Sequence, residues 1–271
     1  MGQLVRRPPP PPSAAAGTPL VSCLTLTRAR PDLLRRAIGF YDRQTWPNKE
    51  LVVVVDRRSD TGWVDSFFHE QARPDLRWAM PAAVEHLGAL RNQALDLARG
   101  DYVCVWDDDD FYHPFRLEWQ VRTALAEGVD AVLLAECMHY FEDSGELFLS
   151  FWQEIGLPPS LLCRRDRMLR YRETLDPILG QKGSDTALQQ KLIEEREVAL
   201  LTDCPYLYTY VYHGENVWNR THHILLAFNR IPSDLEVDTR LPGLRERLGE
   251  MFPGPLPATL LRKEGTSIPL P

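Results

Sequence analysis

Tyr102-Val103-Cys104-Val105-Trp106-Asp107-Asp108-Asp109-Asp110 runs from an apolar strand straight into four consecutive carboxylates. Four neighbouring anions repel one another and are costly to desolvate, so stability alone gives no reason to place them there. A hard divalent cation gives one, because Mg2+ and Mn2+ prefer oxygen ligands. The other reading is an exposed acidic turn, since Asp is also a natural turn and N-cap residue. Successive residues at a strand end alternate sides, so Asp108 is expected to point away from a metal held by its neighbours. Asp110 reads equally as a cap on the following segment.

Outward from this stretch, the preceding chain repeats one theme. Residues 20–26 (LVSCLTL) and 51–55 (LVVVV) are strand-like runs, and the second has no polar alternation. Such a run suits a strand covered on both faces of a parallel sheet. Between them Leu33, Leu34, Ala37, Ile38 and Tyr41 have the spacing of a helix with one buried face, which Pro47 must end. Residues 64–71 and 87–98 read as further helices, with a short strand at 76–80 and a helix stop at Gly100. The first 110 residues therefore spell β-α-β-α-β-α-β, the pattern of an open parallel α/β sheet. Ligands of such sheets bind beyond the carboxyl ends of the strands, and Thr27, Arg30, Asp56, Asp107 and Asp109 all fall there.

Further on, a helix at 114–126 and a strand at 131–135 precede an expected antiparallel pair around Asp143-Ser144-Gly145. A short strand at 161–163 leads into a basic, helix-like run at 164–172. Its default reading is a solvated face, with a phosphate-bearing acceptor or an anionic membrane surface as the sharper one. A loop over 180–184 feeds Asp185 and a helix at 186–195, and final strands at 198–201 and 206–212 end at His213. The expected divisions are a disordered Pro-rich tail (1–17), a main domain (18–232, in halves 18–113 and 114–232), and a C-terminal helix with a Pro-rich tail (233–271).

Of the 271 residues, 44% are apolar and 25% charged, ordinary for a globular chain. The formal net charge of −7 argues against nucleic acid as a partner. Five cysteines without C-x-x-C spacing predict reduced, mostly buried thiols. No apolar run approaches the ~18 residues of a membrane span, and Pro8 to Pro12 stands where a signal peptide needs an apolar core. These features predict a cytoplasmic protein without a transmembrane segment and leave a peripheral membrane contact open.

The ordered motifs resemble glycosyltransferase family 2, the nucleotide-sugar enzymes of GT-A fold. The carrying residues are Val21-Ser22-Cys23-Leu24-Thr25-Leu26-Thr27 with Arg30-Pro31-Asp32, Gln44-Thr45-Trp46-Pro47-Asn48, His86-Leu87-Gly88-Ala89-Leu90-Arg91-Asn92, and Asp107-Asp108-Asp109-Asp110. The resemblance implies an α/β GT-A (Rossmann-like) fold: an open, mostly parallel sheet with helices on both faces and a smaller antiparallel sheet on the acceptor side. It implies a nucleotide-sugar donor, a UDP-sugar first, and a hydroxyl acceptor that is a glycan, lipid-linked or a small molecule. By the same resemblance Asp56 meets the uracil ring and Arg91 the base or phosphates. Thr27 and Arg30 line the nucleotide, with Asp108 beside them. Asp107 and Asp109 hold Mn2+ or Mg2+ and the ribose-diphosphate, His213 completes the metal site, and Asp185 is the catalytic base of an inverting transfer. From the residues alone, His213 also reads as a surface histidine, Arg91 as an exposed helix-start arginine and Asp185 as a helix N-cap.

The chain departs from the family pattern at Arg57-Arg58 and at Ser184, where a Glu is usual. Those departures keep open a non-catalytic nucleotide-sugar-binding protein. A nucleotidyltransferase on a related sheet wants a Gly-rich phosphate loop, and Thr27-Arg28-Ala29-Arg30 has no glycine.

Overall fold

The computed structural model describes residues 4–8, 17–28, 30–58, 60–83, 86–173, 184–263 and 265–270. The elements in order are β1 (Leu4–Arg7), β2 (Val21–Thr27), α1 (Pro31–Asp42), β3 (Lys49–Val55), α2 (Val64–Glu70), β4 (Leu76–Ala79), α3 (Leu87–Leu97) and β5 (Tyr102–Val105). Next come β6 (Phe111–Tyr112), α4 (Arg116–Glu127), β7 (Ala131–Leu134), β8 (Glu136–Phe141), β9 (Glu146–Phe151), β10 (Leu162–Arg164), α5 (Ser184–Glu195), β11 (Val198–Leu201) and β12 (Tyr208–Tyr212). The chain closes with α6 (Arg220–Arg230), α7 (Asp234–Arg240), α8 (Leu244–Gly249), β13 (Thr259–Leu261) and β14 (Ser267–Pro269).

Eight strands form the main sheet in the order β1-β11-β7-β10-β5-β2-β3-β4. Every pairing is parallel except those of β10, which runs against both β5 and β7. The unbroken valines of β3 are explained by cover on both faces. Val52 and Val54 pack under Leu90 and Ala94 of α3, while Val53 and Val55 enter the cluster that holds Leu34, Ile38 and Tyr41 of α1. Each such side chain contributes roughly 1.5–3 kcal/mol on burial. Gly100 sets the start of β5, because a Cβ there would lie 2.6–2.7 Å from the Tyr102 and Leu20 carbonyl oxygens and the Ser22 nitrogen.

The second sheet, β14-β13-β9-β8-β12-β6, is mixed rather than purely antiparallel, since β12–β8 and β13–β9 are parallel. Other expectations change as well. Residues 4–7, placed in a disordered tail, pair with β11 at the sheet edge, and the remainder of that tail beyond 8 and before 17 lies outside the described residues. The basic run at 164–172 is largely solvent-exposed, as expected, but it is not a helix. After one 3-10 turn (Arg165–Arg167) it becomes extended, and several of its arginines also pair within the chain. Arg165 donates to the Gly100 carbonyl at 2.6 Å, Arg164 pairs with Asp166 at 2.9 Å, and Arg170 pairs with Asp96.

The C-terminal segment is not a helix and a tail. Val237, Leu244, Leu248, Met251, Leu260 and Leu270 all join the main core. Arg240 of α7 reaches the fully buried Glu136 of β8, its Nη2 donating at 2.6 Å. The five cysteines are free and buried, as expected. Among the described residues no helix is long and apolar enough to cross a membrane.

Candidate active site

The carboxyl end of β5 abuts the second sheet, and the four aspartates leave it in alternating directions. Asp108 and Asp110 are buried, whereas Asp107 and Asp109 are partly exposed toward a cleft of about 340 Å³. The same cleft is lined by Arg30 from the β2–α1 loop, Arg91 from α3, Asp185 from α5, Tyr210 from β12 and one side of α6.

Each aspartate has its own partners. Asp108 accepts from Thr27 Oγ1 at 2.6 Å and from Arg30 Nη2 at 2.5 Å. Asp109 Oδ2 accepts from Arg30 Nη1 at 3.0 Å and lies 3.2 Å from His213 Nε2. Arg36 of α1 fixes the backbone there by donating to the Asp109 carbonyl at 3.0 Å. Asp110 caps nothing. Its Oδ1 accepts from the Val211 amide at 2.8 Å and its Oδ2 from the Tyr208 hydroxyl, which ties the turn to β12. Tyr112 donates to the Asp107 carbonyl at 2.9 Å.

These surroundings divide the charge unevenly. Burial and the neighbouring Asp109 charge push Asp107 up to about 6, against the pull of Arg91. The same two causes push Asp108 up to about 7, against Arg30 and Thr27. Burial opposes ionisation of Asp109 too, but the hydrogen bond from His213 and the Arg30 charge overcome it and hold the group down at about 2. Burial, with Asp109 and Asp107 adding to it, raises Asp110 well above the usual carboxylate range. Of the four, Asp109 is the one held below the usual carboxylate range.

Asp185 sits in the first turn of α5, not before it, and its Oδ1 accepts from the Thr186 amide at 3.2 Å. Its other oxygen lies 3.5 Å from Arg91 Nη2. Arg91 is placed by Gly88 and Asn92. A Cβ at position 88 would run into the Arg172 carbonyl, so α3 can lie against residues 171–173 only because that position is glycine. Asn92 then exchanges bonds with the Tyr171 backbone at 2.9 and 3.0 Å, and Arg91 lies over the Tyr171 ring at 5.2 Å. Arg91 is thus not an exposed helix-start residue. The Gly183 expected beside Asp185 lies outside the described residues.

Thr27, Asp56 and His213 are not among the residues that line this cleft; Thr27 and His213 reach it through Asp108 and Asp109. Asp56 follows β3 as expected, but Arg58 takes its carboxylate through the backbone amide at 3.0 Å and the guanidinium Nε at 2.8 and 2.9 Å. Sequence reasoning missed Arg116, which is fully buried beneath Trp106, Tyr112 and Tyr208 at 4.7–5.2 Å. It also missed α6, which lends His222, Leu226 and Arg230 to the cleft. Their i, i+4, i+8 spacing after Asn219, a good N-cap, was the available signal.

The donor set suits a hard or borderline cation. Asp109 supplies an anionic oxygen, and His213 Nε2 offers a lone pair when its proton is on Nδ1. Among the described residues no group of three or more His, Cys, Asp or Glu side chains is placed to hold a metal ion, so the expected trio of Asp107, Asp109 and His213 is not gathered as a ready-made site, and Arg30 Nη1 lies 3.0 Å from Asp109 Oδ2 and 3.4 Å from His213 Nε2.

The model of glycosyl transferase family 2 matches residues 22–195, a span that includes β2 from Ser22 on, the four aspartates and Asp185. The chain belongs to glycosyltransferase family 2. Among its relatives is the putative glycosyltransferase EpsH of Bacillus subtilis, 30% identical over 130 residues, which are 48% of this chain and 37% of EpsH. The uncharacterized glycosyltransferase MJ1057 of Methanocaldococcus jannaschii is 28% identical over 139 residues, 50% of this chain and 47% of its own. The chain therefore matches less than half the length of either relative. Among solved structures, Staphylococcus aureus TarS 1–349 in complex with UDP-GlcNAc superposes with a TM-score of 0.59 at 17% identity, covering 85% of this chain and 72% of that one. The mannosyltransferase PcManGT of Pyrobaculum calidifontis, in complex with GDP-Man and Mn2+, gives 0.56 at 14% identity, covering 87% and 73%. The shared architecture is the GT-A fold that the sequence motifs implied.

Proposed function

We propose that this family 2 protein transfers a sugar from a nucleotide diphosphate donor, a UDP-sugar first, to a hydroxyl acceptor with inversion at the anomeric carbon. The observation that carries the reading is the meeting of Asp107, Asp109, Arg91 and Asp185, from three separate elements, in one cleft beyond the strand ends. Asp109 and His213, with Asp107 beside them, would hold Mn2+ or Mg2+. When bound, the cation supplies Lewis-acid stabilisation of the departing diphosphate.

The protein's own residues account for the rest. Arg30 and Arg91 bring positive charge to the phosphates. Asp56 is the base-contacting candidate, and Arg58 is its competitor for that carboxylate. Asp185 takes the proton from the acceptor hydroxyl as its oxygen bonds the anomeric carbon and the sugar–phosphate bond breaks. A single base suffices for this reaction, in contrast to the two opposed carboxyl groups of glycoside hydrolysis. Five buried, unpaired cysteines support a reducing, cytoplasmic setting.

Calorimetry with UDP, with and without Mn2+, and a UDP-release assay on a panel of nucleotide sugars test the reading. Asp109→Ala is expected to lose the Mn2+-dependent part of UDP affinity. Asp185→Asn is expected to keep UDP binding while turnover falls by roughly 10²–10⁴. UDP affinity that is the same in Asp109→Ala and wild type, with and without Mn2+, refutes it.

A further inference from the structure

Three arginines line the cleft, and they are not equivalent. Arg30 is held by Asp108 and Asp109, and Arg91 faces Asp185. Arg230, the last residue of α6, meets no carboxylate among the described residues. Its guanidinium lies over the Trp152 ring, 4.3 Å from the centroid.

Both members of this pair are held in place. Trp152 is buried, with Nε1 donating to Ser150 Oγ at 3.1 Å and its amide to the Ala135 carbonyl at 2.7 Å. Helix α6 is capped by Asn219, which accepts from the His222 amide at 3.0 Å, and anchored by His223 against His139 at 3.1 Å. A ring face does not neutralise a guanidinium, and it leaves the N–H edge available for a bidentate oxyanion. The same cleft is lined by Leu157, Pro158, Trp218 and Leu226, and apolar lining strengthens charge pairing made within it. An anionic molecule entering this cleft is repelled by Asp107, Asp109 and Asp185. Arg230 is where it gains.

We propose that Arg230 on Trp152 is an acceptor subsite selecting a sugar that carries an anionic group, a carboxylate or a phosphate. That group pairs with Arg230, the ring lies along the apolar wall, and a hydroxyl is left for Asp185. The inference rests on the glycosyltransferase reading above and adds the chemical class of its acceptor.

Glucose, glucuronate and glucose 6-phosphate serve as probes of the full chain, with binding followed by ligand-observed NMR in wild type, Arg230→Met and Arg230→Lys. Wild type is expected to bind at least one anionic probe about tenfold more tightly than glucose, an advantage of about 1.4 kcal/mol. Arg230→Met should bring the three probes level, and Arg230→Lys should keep part of the preference, because it retains charge without the planar fork. Preference for glucose 6-phosphate alone assigns a phosphorylated acceptor, and preference for glucuronate alone an acidic sugar. Equal binding of glucose and both anions by wild type overturns the proposal, as does a preference that survives in Arg230→Met. UDP titration runs in parallel. Loss of UDP affinity in Arg230→Met would move Arg230 to the donor side and also overturn the proposal. Failure of wild type to bind UDP at all would instead overturn the donor reading, while the probes still report on the subsite.

Discussion

Replacing Arg116 tests how the aspartate turn is supported from below. The guanidinium is fully buried at the start of α4, and among the described residues it has no ion pair with a carboxylate and its Nη1 has no hydrogen-bond partner. Its donors go to the carbonyls of Val105 at 2.9 Å and Pro159 at 3.3 Å and to Gln120 Oε1 at 3.2 Å, and three rings surround its charge. Arg116→Met keeps the volume but removes these donors, each worth about 1 kcal/mol, and the ring contacts, together about 1–2 kcal/mol. Relief from burying a charge offsets part of that loss, so a net destabilisation of about 3 kcal/mol is expected. For a chain of this size that lowers Tm by roughly 6–12 °C. The substitution also has an electrostatic signature, because the Arg116 charge is one of the influences that hold Asp107 down. Carboxylate NMR of the metal-free protein should therefore find Asp107 titrating above its wild-type value near 6. A Tm within 2 °C of wild type refutes the packing argument. A large Tm loss with Asp107 unmoved refutes the electrostatic one.

Two further outcomes follow from buried contacts. Burial and mutual repulsion depress His139 to about 3, and burial with the nearby His222 charge depresses His223 to about 4. Both fold as neutral rings, so the unfolded chain takes up more protons, and stability present above pH 6.5 is lost as pH falls toward 4. The expected slope is about 1.4 kcal/mol per pH unit for each histidine, read from urea denaturation at pH 7.5, 6 and 5. A His139→Gln/His223→Gln variant with the wild-type slope contradicts the assignment. Gly88→Ala must push α3 away from residues 171–173. It should cost about 1–3 kcal/mol of stability and weaken UDP binding through Arg91, and wild-type values for both in calorimetry contradict the role given to the glycine.

The parallel half of this fold was legible because its signal is local. A strand covered on both faces must be a continuous apolar run, and β3 is one; the helices between such runs carry their own spacing and stop signals. What escaped the sequence depends on distant partners. Nothing local marks Arg116, because its burial depends on the distant Tyr208 ring as well as on Tyr112. Helix α6 was missed because its outer face keeps Leu225 and Phe228 exposed, which blurs the polar-apolar division that marks a helix. The proline-rich end suggested a tail, yet Pro253, Pro255 and Pro257 occupy the connection between α8 and β13, and Leu260 beyond them joins the core.

The aspartate turn shows the same limit and explains why the cleft lies where it does. Asp107 to Asp110 are equivalent in sequence, and only partners 78–104 residues away distinguish them. Asp108 binds the β2–α1 loop of the main sheet, whereas Asp110 binds β12 of the second sheet. Asp109 joins both, through Arg30 on one side and His213 on the other. One four-residue turn therefore bonds to both sheets, and the cleft opens beside it. Asp109 is also the one of the four whose carboxyl is held below the usual range. Asp109, reached from both sides by Arg30 and His213, is the group on which the two sheets meet in this turn. Asp108 and Asp110 need not remain charged to do their part, which is to hold that group in position.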